Sequence, residues 1–144
     1  MKTIFILDSD SAQQKLMTQH LTSMGFGVRS IFSALEFDTV SEKPFMIILD
    51  EKMDSKDKSS MLFLKKVRRK MSSVPVVYMM NRPERKSISD AKKIGAYEVI
   101  EKNSAAFVNL RTTLDKLISD PPKMNWFARM FGKKQSQSLP ALSV

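Results

Sequence analysis

The chain has 144 residues, of which 42% are hydrophobic and 27% charged, as in a single globular domain. It contains no cysteine and one histidine, which excludes disulfides and thiolate chemistry and argues against a histidine-based metal site or catalytic triad. No apolar run reaches the roughly 18 residues of a membrane span, and the N-terminus lacks a signal-peptide pattern. We therefore expect a cytoplasmic protein.

The net charge is +9, from 24 basic and 15 acidic residues, and a charge of this sign favours anionic partners. Much of it lies in residues 56–70, where seven basic side chains accompany a single acid, Asp57. The seven are Lys56, Lys58, Lys65, Lys66, Arg68, Arg69 and Lys70. A solvated helix face agrees with this pattern, and we favour it over a binding surface for nucleic acid or an acidic protein.

Five short apolar segments have the composition of β-strands, and apolar residues recur at helical spacing between them. The predicted strands are residues 3–7, 28–32, 45–49, 74–80 and 97–100. The predicted helices carry apolar stripes within residues 16–24, 34–41, 61–71, 82–94 and 107–117. Ser9 or Asp10 can cap the first helix, a polar loop spans residues 51–59, and two prolines at 121 and 122 end the domain.

This alternation of strands and helices is typical of βαβ crossovers and hence of a parallel sheet. We predict an α/β fold over residues 1–120, with a doubly wound five-stranded parallel sheet of the flavodoxin-like (βα)5 type and strand order 2-1-3-4-5. Such sheets bind ligands outside the carboxyl ends of their strands, and in this order the first and third strands are neighbours there.

Charged residues follow three of the predicted strands. Asp8 ends the first strand in "FILDSD", Asp50 ends the third in "MIILDEKM", and Lys102 follows the fifth. Each aspartate alone is readily explained as a helix cap. Together they predict a pocket in which the carboxylates bind Mg²⁺ and an aspartate accepts a phosphoryl group that the lysine helps to neutralise.

These segments resemble the receiver domain of bacterial two-component response regulators, a CheY-like superfamily, over residues 1–120. "IFILDSD", "MIILDEKM" and "KKIGAYEVIEKN" match that family's first strand and acidic turn, its phosphoacceptor strand and its segment leading to a lysine. The resemblance implies that Asp50 is phosphorylated, that Lys102 contacts the phosphoryl group, and that Mg²⁺ is the cofactor. It implies a metal-binding acidic pocket formed by Asp8, Ser9, Asp10 and the backbone carbonyl of Lys52.

Two departures from the family pattern concern the pocket. Ser9 stands where the family has a second acid that binds Mg²⁺, and we expect weaker metal binding because serine is a neutral ligand. Met80 stands where the family has a threonine or serine that donates a hydrogen bond to the phosphoryl group, and a thioether cannot donate. The adjacent Asn81 has an amide donor but lies one residue away.

Three other departures concern the fifth strand and two loops. Val99 replaces the family's switch aromatic on the fifth strand, and Tyr97, two residues earlier, is the candidate replacement because it is expected on the same face of the strand. Asn103 follows Lys102 where the family commonly has a cis proline. Asp54 replaces a usual proline in a loop that we count as about two residues longer than usual.

Two hypotheses follow, neither of which makes the protein an enzyme. In the first, a stand-alone receiver accepts a phosphoryl group at Asp50 from a histidine kinase or phosphotransfer protein and signals by protein–protein interaction. In the second, a pseudo-receiver works as an interaction or scaffold module without phosphorylation.

A downstream partner is expected on the surface of the fourth helix, fifth strand and fifth helix or on the tail, and a homodimer is a further hypothesis. No element for reading DNA sequence is found. An unrelated flavodoxin-like enzyme is disfavoured because the chain has no glycine-rich phosphate loop.

Residues 121–144 form a basic tail with no acid. Trp126, Phe127, Met130 and Phe131 share one helical face, and we expect disorder from Gln135 onward. This amphipathic segment either packs on the domain or a second copy, the interpretation we favour, or anchors the chain to a partner groove or an anionic membrane surface.

Overall fold

The computed structural model describes residues 1–54 and 57–122 as five strands alternating with five helices. The strands are β1 Thr3–Leu7, β2 Gly27–Ile31, β3 Met46–Asp50, β4 Val76–Met80 and β5 Glu98–Glu101. The helices are α1 Ser11–Ser23, α2 Ala34–Asp38, α3 Leu62–Lys70, α4 Arg85–Ile94 and α5 Ala106–Ser119, with a short 3₁₀ helix at Glu51–Asp54. The predicted amphipathic segment at 126–131 lies outside the described residues.

The five strands form one parallel sheet in the order β2-β1-β3-β4-β5, which confirms the predicted fold class and strand order. β1 lies between β2 and β3, with Leu7 opposite both Ile31 and Leu49. Asp50 of β3 lies opposite Met79 of β4. The carboxyl ends of the strands therefore meet along one edge of the sheet, and Asp8 and Asp50 lie at its centre.

Both faces of the sheet are buried because helices pack on each of them. Side chains of a strand alternate between these two faces. On one face Phe5, Leu7 and Tyr78 pack with apolar residues of α2, α3 and α4. On the other, Ile6 and Ile48 pack with apolar residues of α1 and α5. This explains why β1, β3 and β4 read as continuous apolar runs in the sequence.

Several element boundaries differ from the sequence predictions, and those of β2, β3 and β5 are displaced by one residue each. β4 begins at Val76 rather than at residue 74, because Pro75 cannot donate to a ladder. α4 begins at Arg85 rather than at residue 82; Arg82 has a left-handed backbone (φ +50°), and Pro83 follows it. The polar loop predicted at 51–59 contains the 3₁₀ helix, in which Glu51 and Asp54 are buried.

The basic stretch at 56–70 is not uniformly a solvated helix face. Arg68 is 3% exposed, and its guanidinium donates to the carbonyls of Val74 at 2.6 Å and Ser72 at 2.7 Å. It thereby holds the turn between α3 and β4. Gly95 (φ +128°) leaves room for this arginine, since a Cβ there would lie 2.8 Å from the Arg68 Nε. Arg68 is therefore a structural residue, while Lys65 and Arg69 are exposed.

Among residues 1–54 and 57–122, no helix is both long enough and apolar enough to cross a membrane.

Candidate functional site

Asp8 is held at the carboxyl end of β1 by backbone hydrogen bonds and is 5% exposed. Its N–H donates to the Ile31 carbonyl at 3.1 Å, and its Oδ1 accepts from the Asp10 N–H at 3.0 Å. Behind it, the buried Gln14 amide donates to the carbonyls of Ile6, Asp8 and Ile31. Gln14 therefore ties α1 to the ends of β1 and β2 and fixes the position of Asp8.

Asp50 lies beside Asp8 at the end of β3, with a side chain that is 6% exposed. The Lys102 ammonium donates to both of its carboxylate oxygens, at 3.2 Å to Oδ1 and 3.1 Å to Oδ2. The Lys52 N–H donates to Oδ1 at 2.9 Å. The structure thus brings together Asp8, Asp50 and Lys102, the three residues that the sequence places at this edge.

Lys52 enters the site through its side chain as well as its backbone. Its Nζ lies 3.6 Å from Asp8 Oδ1 and 3.6 Å from Asp10 Oδ2, within ion-pair range but beyond hydrogen-bond length. The sequence pointed to the Lys52 carbonyl as a metal ligand, whereas the structure puts an ammonium group between two of the carboxylates expected to bind the metal.

Asp10 is the N-cap of α1. Its Oδ1 accepts from the N–H groups of Ala12 at 2.9 Å and Gln13 at 3.1 Å, which satisfies donors at the helix start and holds the pKa of Asp10 below its usual range. Ser9, between the two acids, is exposed. Of the two capping candidates, Asp10 is the cap.

The Asp8 carboxyl has a pKa above its usual range, chiefly because burial disfavours the charged form. The negative charge of Asp50 acts in the same direction, while the Asp10 N–H and the two lysines, Lys52 and Lys102, favour the ionised form. The lysines therefore offset only part of the cost of burying two acids side by side.

The site opens into a cleft of about 220 Å³ beside α1 and α5. Asp8, Asp50 and Lys102 line its polar end, and Leu16 and Phe107 line its apolar part. A small anionic group can therefore approach Asp50 from this side.

Two further carboxylates are buried next to Asp50 on the 3₁₀ helix, and neither was assigned to the site from sequence. Glu51, 5% exposed, accepts from the Asn81 N–H at 2.8 Å. Asp54, 7% exposed, accepts from the Phe63 N–H at 2.7 Å and from the Tyr78 hydroxyl at 3.1 Å. Burial raises the pKa of Asp54.

Asp54 compensates for an uncapped helix. The N-cap of α3, Met61, has a left-handed backbone (φ +50°) and makes no side-chain cap bond. Asp54 reaches across from the 3₁₀ helix and caps this end through Phe63. The aspartate that replaces a family proline is thus a structural residue on the α3 side of the sheet.

The positions predicted as degenerate lie in the sheet, and the Met80 carbonyl accepts from the Lys102 N–H at 2.8 Å. Met80 ends β4, is 4% exposed, and packs on the α3 and α4 side. Val99 packs on the same side. The expectation that Tyr97 shares the face of Val99 is wrong: Tyr97 packs on the α1 and α5 side, because it precedes β5, which begins at Glu98, and strand alternation does not apply there.

Asn103, after Lys102, begins the turn into α5. Its side-chain oxygen accepts from the Ala105 N–H at 2.9 Å.

Mg²⁺ needs several oxygen ligands converging on one point in near-octahedral geometry. Here one Asp10 oxygen caps a helix, both Asp50 oxygens face Lys102, and the Lys52 ammonium lies next to Asp8. Within the described ranges, no three His, Cys, Asp or Glu side chains are placed to hold a metal ion. Because Mg²⁺ keeps several waters and binds through as few as one or two carboxylates, the number of acids does not decide the fit. The Lys52 ammonium next to Asp8 makes this donor set a poor fit to Mg²⁺, and the predicted cofactor stays a prediction for a binding measurement.

Sequence reasoning missed Gln14, Glu51, Asp54 and the Lys52 side chain. Gln14 carries a weak signal, since it lies three and seven residues before Met17 and Leu21 and so shares their buried helix face. The other three lie in a stretch that reads as a polar loop, where spacing alone does not reveal burial.

No family model and no curated protein matches the chain. Several solved structures with the same fold are response regulators. A two-component response regulator from Clostridium difficile superposes with a TM-score of 0.73 at 21% identity, over 85% of this chain and 100% of that one. A response regulator from Thermotoga maritima gives 0.70 at 20% identity, over 83% and 99%.

Full-length FixJ from B. japonicum gives a TM-score of 0.66 at 21% identity and covers 96% of this chain. The chain spans 63% of the length of that protein. The described structure therefore has the receiver fold.

Proposed function

We propose that this chain is a receiver-type module of two-component, phosphorelay signal transduction, in which Asp50 accepts a phosphoryl group. The observation that carries the proposal is the Asp50–Lys102 pair. A carboxylate held at the mouth of a parallel sheet, with an ammonium 3.1 Å from one oxygen and 3.2 Å from the other, is a nucleophile with its charge partner already in place.

The reaction would transfer one phosphoryl group. An Asp50 oxygen forms the new O–P bond as the P–N bond of a phosphohistidine, or the P–O bond of a small acyl phosphodonor, breaks. The imidazole leaving group takes a proton from solvent, whereas the carboxylate of an acyl phosphodonor leaves as the anion. Lys102 neutralises charge on the transferred group, and the Lys52 N–H orients Oδ1. Phosphoryl transfer depends mainly on such positioning and charge neutralisation.

The proposed donor is a histidine kinase or a phosphotransfer protein, which would act in the cytoplasm, and the chain is an acceptor rather than an enzyme. The proposed output is contact with a downstream protein through α4, β5 and α5, or through a homodimer. Exposed basic residues on and beside α4 favour an acidic partner. They are Arg82, Arg85, Lys86, Lys92 and Lys93.

A second function, a pseudo-receiver that works without phosphorylation, is favoured by the end of β4. Met80 presents a thioether where a hydroxyl donor would serve, and the next backbone donor, the Asn81 N–H, is bonded to Glu51. A phosphoryl group on Asp50 would therefore find less support on the β4 side than on the Lys102 side.

Intact-mass measurement after incubation with a small acyl phosphodonor separates these functions. We expect the wild-type chain to gain one phosphoryl group that hydroxylamine removes, as it does from an acyl phosphate, and Asp50→Asn to gain none. Asp54→Asn, which changes a buried acid four residues away, is the matched control and should be modified as wild type is. An unmodified wild-type chain, together with partner binding that survives Asp50→Asn, would establish the pseudo-receiver instead.

A further inference from the structure

We propose that the Lys52 side chain is the built-in cation of this pocket and occupies the place of a divalent metal. Its ammonium forms an ion pair with both Asp8 and Asp10, at 3.6 Å from a carboxylate oxygen of each. The remaining carboxylate, Asp50, has its own cation in Lys102. Three carboxylates therefore face two lysines.

The position of Lys52 is set by the backbone next to it. The Lys52 N–H is bonded to Asp50 Oδ1 at 2.9 Å, so the residue is anchored to β3 at the pocket. Its side chain is 30% exposed, as expected when a lysine stem lies along the protein and its charged end keeps some water. Because the Lys52 backbone is held at the pocket, its ammonium stays close to Asp8 and Asp10 and acts as their counter-ion.

This arrangement opposes a metal ion in two ways. A divalent cation bound by Asp8 would lie within a few ångströms of the Lys52 ammonium, and like charges at that distance repel strongly in a partly buried site. Ser9 contributes a neutral oxygen in place of a charged one, so the ligand set lacks charge that would compensate the repulsion. Ser9 and Lys52 therefore act in the same direction.

One consequence rests on the proposed function. If Asp50 accepts a phosphoryl group, the two lysines supply the positive charge for the step, and the step does not require a divalent cation. The proposal about Lys52 itself concerns cation binding and can be tested whether or not Asp50 is phosphorylated.

The test is a Mg²⁺ titration of the full chain, followed by amide chemical shifts of residues in β1, β3 and the 3₁₀ helix. For the wild type we expect no saturable shift at millimolar Mg²⁺. Lys52→Gln should bind at least about tenfold more tightly, because removing one nearby positive charge is worth about that factor in a partly buried site. Lys52→Met, which keeps the apolar stem, should behave in the same way.

Lys66→Gln is the matched control. It removes the same charge from α3, where Lys66 pairs with Asp38 at 2.7 Å, and should leave Mg²⁺ binding as weak as in the wild type. Saturable millimolar or tighter Mg²⁺ binding by the wild-type chain overturns the proposal. Folded Lys52→Gln and Lys52→Met variants without a gain in affinity also overturn it. A failure to phosphorylate Asp50, by contrast, would contradict the proposed function and leave this result unaffected.

Discussion

Two pairs of buried acids lie at the carboxyl ends of β1 and β3 and on the 3₁₀ helix that follows β3, and their partners differ. Asp8 and Asp50 face the ammonium groups of Lys52 and Lys102. Glu51 and Asp54 accept mainly from backbone N–H groups and a tyrosine hydroxyl, and the exposed Lys58 ammonium lies 4.0 Å from Glu51. We refer to these as the lysine-faced acids and the amide-faced acids.

We relate the lysine-faced acids to the proposed function and the amide-faced acids to the stability of the fold. A lysine side chain can move when an anionic group arrives, so the lysine-faced acids have the adjustable charge partners that the proposed phosphoryl transfer needs. Backbone amides are fixed by the strands and helices that carry them. The amide-faced acids therefore connect the 3₁₀ helix to α3 and to the end of β4.

The largest effect on stability is expected at Asp54, the more connected of the amide-faced acids. Asp54→Ala leaves the Phe63 N–H and the buried Tyr78 hydroxyl without their acceptor, which should lower the free energy of unfolding by about 3 kcal/mol. Urea denaturation measures it. Asp54→Asn keeps an acceptor for Phe63 and a partner for Tyr78, so it should cost less than about 1 kcal/mol; equal losses in the two variants would refute the capping role.

A smaller loss is expected at Glu51. Glu51→Ala removes the acceptor of the Asn81 N–H, but Asn81 is exposed and water can take over part of the bond. We expect a loss of about 1 kcal/mol in the free energy of unfolding, with Glu51→Gln close to wild type because its amide oxygen still accepts. Hydrogen exchange at Asn81 should accelerate in the alanine variant alone, and unchanged exchange there would show that the bond does not form in solution.

The smallest effect, with opposite sign, is expected for a lysine-faced acid. Since burial raises the pKa of Asp8, its charge opposes folding at neutral pH. Asp8→Asn, which keeps an acceptor for Asp10, should therefore raise the free energy of unfolding by less than about 1 kcal/mol.

The pH dependence gives the sign of that effect an independent check. Near the raised pKa, folded wild type binds more protons than the unfolded chain, so its stability increases as the pH falls through that pKa. The gain in the free energy of unfolding of Asp8→Asn over wild type should be fully present at pH values above the pKa of Asp8 in the folded protein. It should vanish at pH values below the pKa of Asp8 in the unfolded chain. An advantage that grows on acidification would contradict the assignment.

The sequence was sufficient to predict the fold and the meeting of Asp8, Asp50 and Lys102, because strand order alone brings strand ends together. It was insufficient to predict the role of a residue or the face of the sheet on which it packs, where these depend on the direction of its side chain. Asp10 serves as a cap because of its backbone angle at the start of α1. Tyr97 faces the other side because β5 begins one residue after it.

Lys52 and Asp54 show the same limit within the 3₁₀ helix. A polar stretch of this kind has no periodicity in the sequence that tells a buried acid from a solvated one, or a lysine turned to the pocket from one turned to water. The partners of both residues come from distant parts of the chain, Asp8 for Lys52 and Tyr78 for Asp54, and only the folded arrangement pairs them.

The most direct test of the central claim, that the lysine-faced acids form a reactive pocket whose charge is balanced by the chain itself, is phosphorylation without metal. Wild-type protein would be incubated with a small acyl phosphodonor, once with a chelator and once with Mg²⁺, and its intact mass followed over time. We expect one phosphoryl group at Asp50 in both media, at rates within about twofold, since metal adds little where lysines carry the charge. No gain in either medium, or a gain that requires Mg²⁺, would contradict the account.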